Sequence, residues 1–105
     1  MIKHVNNLEQ FKDAIKEGKV LVDFYATWCG PCRMLAPVLE EIDANQEIEG
    51  LTIIKIDVDE VPTVAGMFNV QSIPTLILFK DGKMINHSLG FMPKPALVNF
   101  LNNNF

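Results

Sequence analysis

The chain has 105 residues, a net charge of -4 and 49% hydrophobic residues, enough for one domain (1–105) with a core of its own and too few for two. No basic stripe runs along it, and the acidic balance argues against nucleic acid as a partner. No apolar run approaches the length of a membrane span, and the opening MIKHVNNLEQ lacks the apolar centre of a signal peptide. A cytoplasmic chain with no membrane association is therefore expected, and in that compartment disulfides are usually transient.

Ile2–Val5 reads as a short strand. Asn6 followed by Glu9 is a variant capping box, and Leu8, Phe11 and Ile15 then share one helical face, with Gly18 as the stop. Val20–Tyr25 is a compact apolar run of the kind found in strands covered on both faces. Alternation along it puts Leu21, Asp23 and Tyr25 on one side and Val20, Val22 and Phe24 on the other. Past the cysteines, Met34, Leu35, Val38, Leu39 and Ile42 keep helical spacing, with Pro37 inside the run as an expected kink.

Leu51–Val58 is a second buried strand, and Val61–Phe68 a short helix with Pro62 near its start. Thr75–Lys80 is a third apolar strand, and Asp81-Gly82 is a hairpin signal leading into Lys83–Leu89. Lys94–Leu101 closes the chain as an amphipathic helix with Leu97, Phe100 and Leu101 inward, before a polar tail at Asn102–Asn104. The order βαβαβαββα predicts an α/β fold, with parallel strands early, an antiparallel hairpin late and helices on both faces of the sheet. The five methionines read as core filler.

Both cysteines lie in ATWCGPCRM, as Cys29 and Cys32 around Gly30-Pro31. A structural zinc site needs four ligands, and the only histidines, His4 and His87, are far apart in sequence, so no metal site is expected. As a staple, so short a loop is worth only about 2 kcal/mol, against about 3 for a loop of about fifteen residues. A redox pair fits the spacing best. Positions i and i+3 lie on one helical face within disulfide reach. The mouth of a helix favours a thiolate through its free N–H groups and dipole. Pro31 suits the first turn, and Arg33 reads as a solvated surface charge. Cys29, at the helix end, is the expected attacking thiol, and Cys32, nearly a turn inside and more shielded, the resolving one.

The motif Trp28-Cys29-Gly30-Pro31-Cys32 resembles that of the thioredoxin family. Further along, VDFYA before the motif, KIDVDE in the third strand, SIPT before the fourth and Gly90 after the fifth match as well, so the resemblance covers essentially the whole chain. It implies a thioredoxin fold, a central five-stranded mixed β-sheet flanked by four α-helices. It also implies an enzyme that reduces protein disulfides, binds no cofactor itself and is restored by a flavoprotein, thioredoxin reductase, using NADPH. The partners implied are that reductase and a broad range of disulfide-containing proteins, met as a monomer.

The residue type at Asp23 leaves two readings open, a carboxylate satisfied by local hydrogen bonds and one that exchanges protons near neutrality. The resemblance favours the second, as proton transfer with Cys32, and places Lys55 beside it; a solvated strand lysine is the alternative. Pro74 would by base rate follow a trans bond. The resemblance implies a cis Pro74 facing the cysteines, with the Ile73 backbone pairing to extended substrate chain. Trp28, Gly30 and Gly90 would complete the docking surface, and Gly30-Pro31 would help set the potential of the pair.

Three features depart from the family pattern: Tyr25 where many members carry tryptophan, Val61 after the acidic run, and an apolar Phe91-Met92 that could alter partner preference. Two rival functions share the fold, a disulfide oxidant or isomerase and a non-catalytic binding module. Gly-Pro between the cysteines resembles the reducing members of the family, and retention of both cysteines, Asp23 and SIPT speaks against the module.

Overall fold

The computed structural model describes residues 1–105. Nine elements follow in chain order: β1 (Ile2–His4), α1 (Leu8–Ile15), β2 (Lys19–Tyr25), α2 (Gly30–Ala44), β3 (Leu51–Asp57), α3 (Pro62–Met67), β4 (Thr75–Lys80), β5 (Lys83–Leu89) and α4 (Lys94–Asn104). The strands form one sheet in the order β1-β3-β2-β4-β5. β1 and β2 each run parallel to β3, whereas β4 runs antiparallel to both β2 and β5. This is the expected thioredoxin fold, a mixed sheet with four helices. No helix is long and apolar enough to cross a membrane.

The two-residue period of β2 sorts its side chains into two cores. Val20, Val22 and Phe24 pack with Phe11 of α1 and with Val64 and Ala65 of α3. Leu21, on the opposite face, packs with Leu35, Leu39 and Ile42 of α2 and with Leu97 and Leu101 of α4. The sheet is thus covered on both sides, which is why its central strands are nearly continuous apolar runs. Each such fully buried side chain contributes roughly 1.5–3 kcal/mol relative to exposure. Phe11 also meets Phe68 and Phe79 edge-on, at centroid distances of 5.5 and 5.9 Å.

Several local expectations shift. The cap of α1 is Asn7 rather than Asn6: its side chain accepts from the Gln10 N–H at 2.8 Å, and Gln10 Oε1 accepts from the Asn6 N–H at 2.9 Å. The reciprocal logic is that of a capping box, one residue later. α1 ends at Ile15, and Gly18 (φ +76°) belongs to the turn into β2, where its N–H donates to Asp81 Oδ1 at 2.8 Å. α2 spans Gly30–Ala44 with Pro37 inside it, as expected.

α4 continues through the asparagine tail to Asn104, whose Oδ1 accepts from Asn86 Nδ2 of β5 at 3.0 Å. Lys94, at the other end of α4, reaches Glu41 at 2.8 Å and Glu47 at 2.6 Å, tying α4 to α2 and the loop after it. The methionines do not fill the core. Met1, Met34, Met67 and Met84 are each at least half exposed, while Met92 is only partly buried, against the α2/α4 core. Their unbranched side chains lie along surface helices and edges rather than in gaps, because branched residues already close the two cores.

Candidate active site

β2 ends at Tyr25, the chain turns through Ala26–Trp28, and α2 begins at Gly30 with Pro31 in its first turn. Cys29 is the N-cap of α2. Its sulfur accepts the N–H of Cys32 at 3.2 Å, so one of the free donors of the helix end already points at it. The two sulfurs are bonded, with Cα atoms 5.2 Å apart, within the ordinary span of a disulfide. No cluster of three or more His, Cys, Asp or Glu side chains is placed to hold a metal.

Exposure does not separate the two cysteines as the sequence predicted: Cys29 is 5% exposed and Cys32 3%. Orientation does. Cys29 Sγ faces the Ile73 carbonyl at 3.7 Å. Cys32, but not Cys29, lines a shallow hollow of about 310 Å³ with Tyr25, Ala26, Thr27, Arg33, Ala36 and Lys55. Arg33 is tied down there, donating from Nη1 to the Thr27 carbonyl at 3.0 Å.

The Ile73–Pro74 peptide is cis. The Pro74 carbonyl accepts the N–H of Gly90 at 2.8 Å, and Gly90 has φ +86°, so the end of β5 holds the proline loop in place through a residue suited to that backbone. The Ile73 N–H takes part in no backbone hydrogen bond, and Ile73 packs beside the two cysteines. Trp28 is 66% exposed, with Nε1 donating to Asp59 Oδ2 at 2.8 Å. Asp59 is in turn oriented by its own N–H on Asp57 Oδ1 at 2.9 Å. That Trp28–Asp59 bond spans 31 residues of sequence and has no local signal. Phe91 and Met92 pack against the α2/α4 core and are only partly open to a partner.

Asp23 is fully buried, and neither carboxylate oxygen has a hydrogen-bond partner. The reading of Asp23 as a carboxylate satisfied by local bonds is thereby removed. Burial pushes its carboxyl up to about 6, with the Lys55 ammonium pulling the other way. Lys55 is its direct partner in the parallel register of β2 and β3, with Nζ 3.9 Å from Oδ2 and its side chain 14% exposed. Lys55 is therefore not a solvated strand lysine. Gly30 has open space where a side chain would point, leaving the approach to the sulfurs unobstructed from that position.

A sequence model of the thioredoxin family matches residues 2–103. The chain is 49% identical over 102 residues to a thioredoxin of Listeria monocytogenes, covering 97% of both. It is 52% identical over 94 residues to one from Bacillus subtilis, covering 90% of this chain and 89% of that one. Among solved structures, the Malassezia sympodialis thioredoxin superposes with a TM-score of 0.89 at 31% identity, covering 98% of this chain and 92% of its own. A Plasmodium falciparum thioredoxin gives 0.88 at 35% identity, covering 98% and 99%. With its paired cysteines at the mouth of α2, the chain belongs to the thioredoxin family and is a thiol-disulfide oxidoreductase that reduces protein disulfides.

Proposed function

We propose that Cys29 is the attacking thiol, Cys32 the resolving thiol and Asp23 the acceptor of the Cys32 proton. The observation that carries the assignment is the orientation of the pair. Cys29 Sγ, on the helix N-cap, faces the Ile73–Pro74 edge, while Cys32 faces the hollow that Lys55 lines. The Cys29 thiolate, favoured by the Cys32 N–H and the helix end, attacks one sulfur of a substrate disulfide. A Cys29–substrate bond forms, the substrate S–S bond breaks, and the departing thiolate takes a proton from solvent. Cys32 then gives its proton to Asp23 and attacks Cys29 Sγ. The mixed disulfide breaks, the second substrate thiolate is protonated, and two electrons have passed from the pair to the substrate.

Substrate chain would dock along Ile73–Pro74 by main-chain pairing, for which the unpaired Ile73 N–H is the available donor. Trp28, which is exposed, and Gly90 would flank it. Pairing through backbone accepts many sequences, which fits a reductase of broad range. Gly30 and Pro31 would set the potential of the pair together with Lys55. The pair would be reduced again by a flavoprotein thioredoxin reductase drawing on NADPH, with the chain acting as a monomer in the cytoplasm.

Cys32→Ser tests the division of labour. It will accumulate a mixed disulfide through Cys29 when mixed with a disulfide-bonded protein, and Cys29→Ser will not; trapping through Cys32 instead overturns it. The direction of flow rests on the potential of the pair, and a value above the cytosolic glutathione poise would make the chain an oxidant or isomerase.

A further inference from the structure

We infer that Tyr25 is a positioning residue for the reaction, its ring face holding the Lys55 ammonium against the Asp23 carboxylate. Asp23 and Tyr25 are two apart on β2 and share a face, and Lys55 of β3 lies directly opposite Asp23. Lys55 is thus the diagonal neighbour of Tyr25, within reach of a long side chain. Its Nζ sits 4.7 Å from the centroid of the Tyr25 ring, a favourable distance for a cation over an aromatic face. On its other side the Asp23 oxygen is 3.9 Å away, and Asp23 has no hydrogen-bond partner. Charge attraction alone does not fix a flexible four-carbon stem whose head prefers water. The ring supplies the second contact, and it forms one wall of the hollow that also reaches Cys32.

The other groups facing this cluster do not replace that contact. From β3 comes Asp57 and from the loop after it Glu60, both acting on Tyr25; as anions they would draw the Lys55 ammonium toward themselves rather than hold it against Asp23. From α2 come Cys32 and Arg33, the latter engaged with the Thr27 carbonyl. From β4 the residue opposite Asp23 is Leu76, which is uncharged. What the position supplies is an aromatic face over the Lys55 ammonium. This inference deepens the proposed proton-acceptor role of Asp23 and rests on it for its catalytic meaning.

The test is the titration of the Asp23 carboxyl carbon by NMR in the oxidised protein, where neither cysteine titrates. Lys55→Met moves the midpoint upward, because the favourable charge is gone. Removing the ring has two opposed effects, loss of the held lysine (upward) and wetter surroundings (downward), so it is measured in both backgrounds. Tyr25→Leu moves the midpoint higher with Lys55 present than it does in the Lys55→Met background, and Tyr25→Phe and Tyr25→Trp, which keep a ring face, leave it in place. An equal effect of Tyr25→Leu in both backgrounds overturns the positioning role. The pH profile of insulin reduction by the same variants then separates the two ideas. If midpoints move as stated while the profile stays fixed, Tyr25 positions Lys55 but Asp23 does not accept the proton.

Discussion

Asp23→Asn is expected to make the protein more stable at neutral pH, and the gain to vanish in acid. Asp23 is fully buried with both oxygens unpartnered, and its carboxyl titrates near 6 against an ordinary 3.8. The folded state therefore holds the proton more tightly than the unfolded chain does. Below 3.8 both states are protonated and the residue costs nothing extra. As pH rises from 3.8 to about 6 the unfolded chain ionises freely while the folded one resists, and stability falls. Above about 6 the loss is complete. At about 1.4 kcal/mol per tenfold change in proton affinity, it amounts to about 3 kcal/mol.

The amide of asparagine has the shape of the protonated acid and never ionises, so the variant escapes this cost. Its advantage over the parent should be about 3 kcal/mol larger at pH 8 than near pH 3.5, corresponding to roughly 10–20 °C in Tm for a domain of this size. Urea unfolding of the oxidised proteins across that range measures it, with the slope of stability on urea unchanged as the control. A stability difference that does not vary with pH would refute the reasoning, because it would mean that Asp23 has the same proton affinity in both states.

Two further substitutions probe what surrounds the site. Gly90→Ala places a side chain at φ +86°, and with open space around it the cost is backbone strain alone, about 1–2 kcal/mol in urea unfolding. Because the Gly90 N–H holds the Pro74 carbonyl, its KM for protein disulfides should rise, whereas its reactivity toward a small-molecule disulfide should not. Phe11→Ala removes a buried ring that meets Phe68 and Phe79 on the face of the sheet away from α2. It should cost about 3–5 kcal/mol in stability, while the fraction that stays folded turns over at the parental rate.

What the sequence made legible is what period and punctuation encode. The alternation in VLVDFY placed Asp23 and Tyr25 on one face before any pairing was known, and Asp81-Gly82 marked the hairpin. Local ambiguity accounts for some of the rest. Asn6 and Asn7 are adjacent and each could cap; with Asn7 as cap, the Gln10 N–H donates to Asn7 Oδ1 while Gln10 Oε1 accepts from the Asn6 N–H. The asparagines at 102–104 look like a frayed tail, yet Asn104 is held by β5 through Asn86. Other features needed the register of distant strands: Lys55 over Tyr25, Asp59 on the Trp28 indole, and Phe91 and Met92 folded back onto α2 and α4. The unpartnered state of Asp23 is likewise a property of everything packed around it, which no window of sequence contains.

The far edge of the sheet has a bearing on how such a chain behaves in a crowded cell. β5 is outermost, and nearly all of it is exposed. A seven-residue strand with a free side could template the addition of another molecule's strand. Its pairing with β4 slips, however: Leu78 faces Asn86 while the next residue, Phe79, faces Met84, leaving Ile85 without a partner. Such a bulge bends and twists the strand, and Lys83 at its start adds charge. The regular ladder that self-association would require is broken there. The longest open margin of the sheet is thus poorly suited to aggregation.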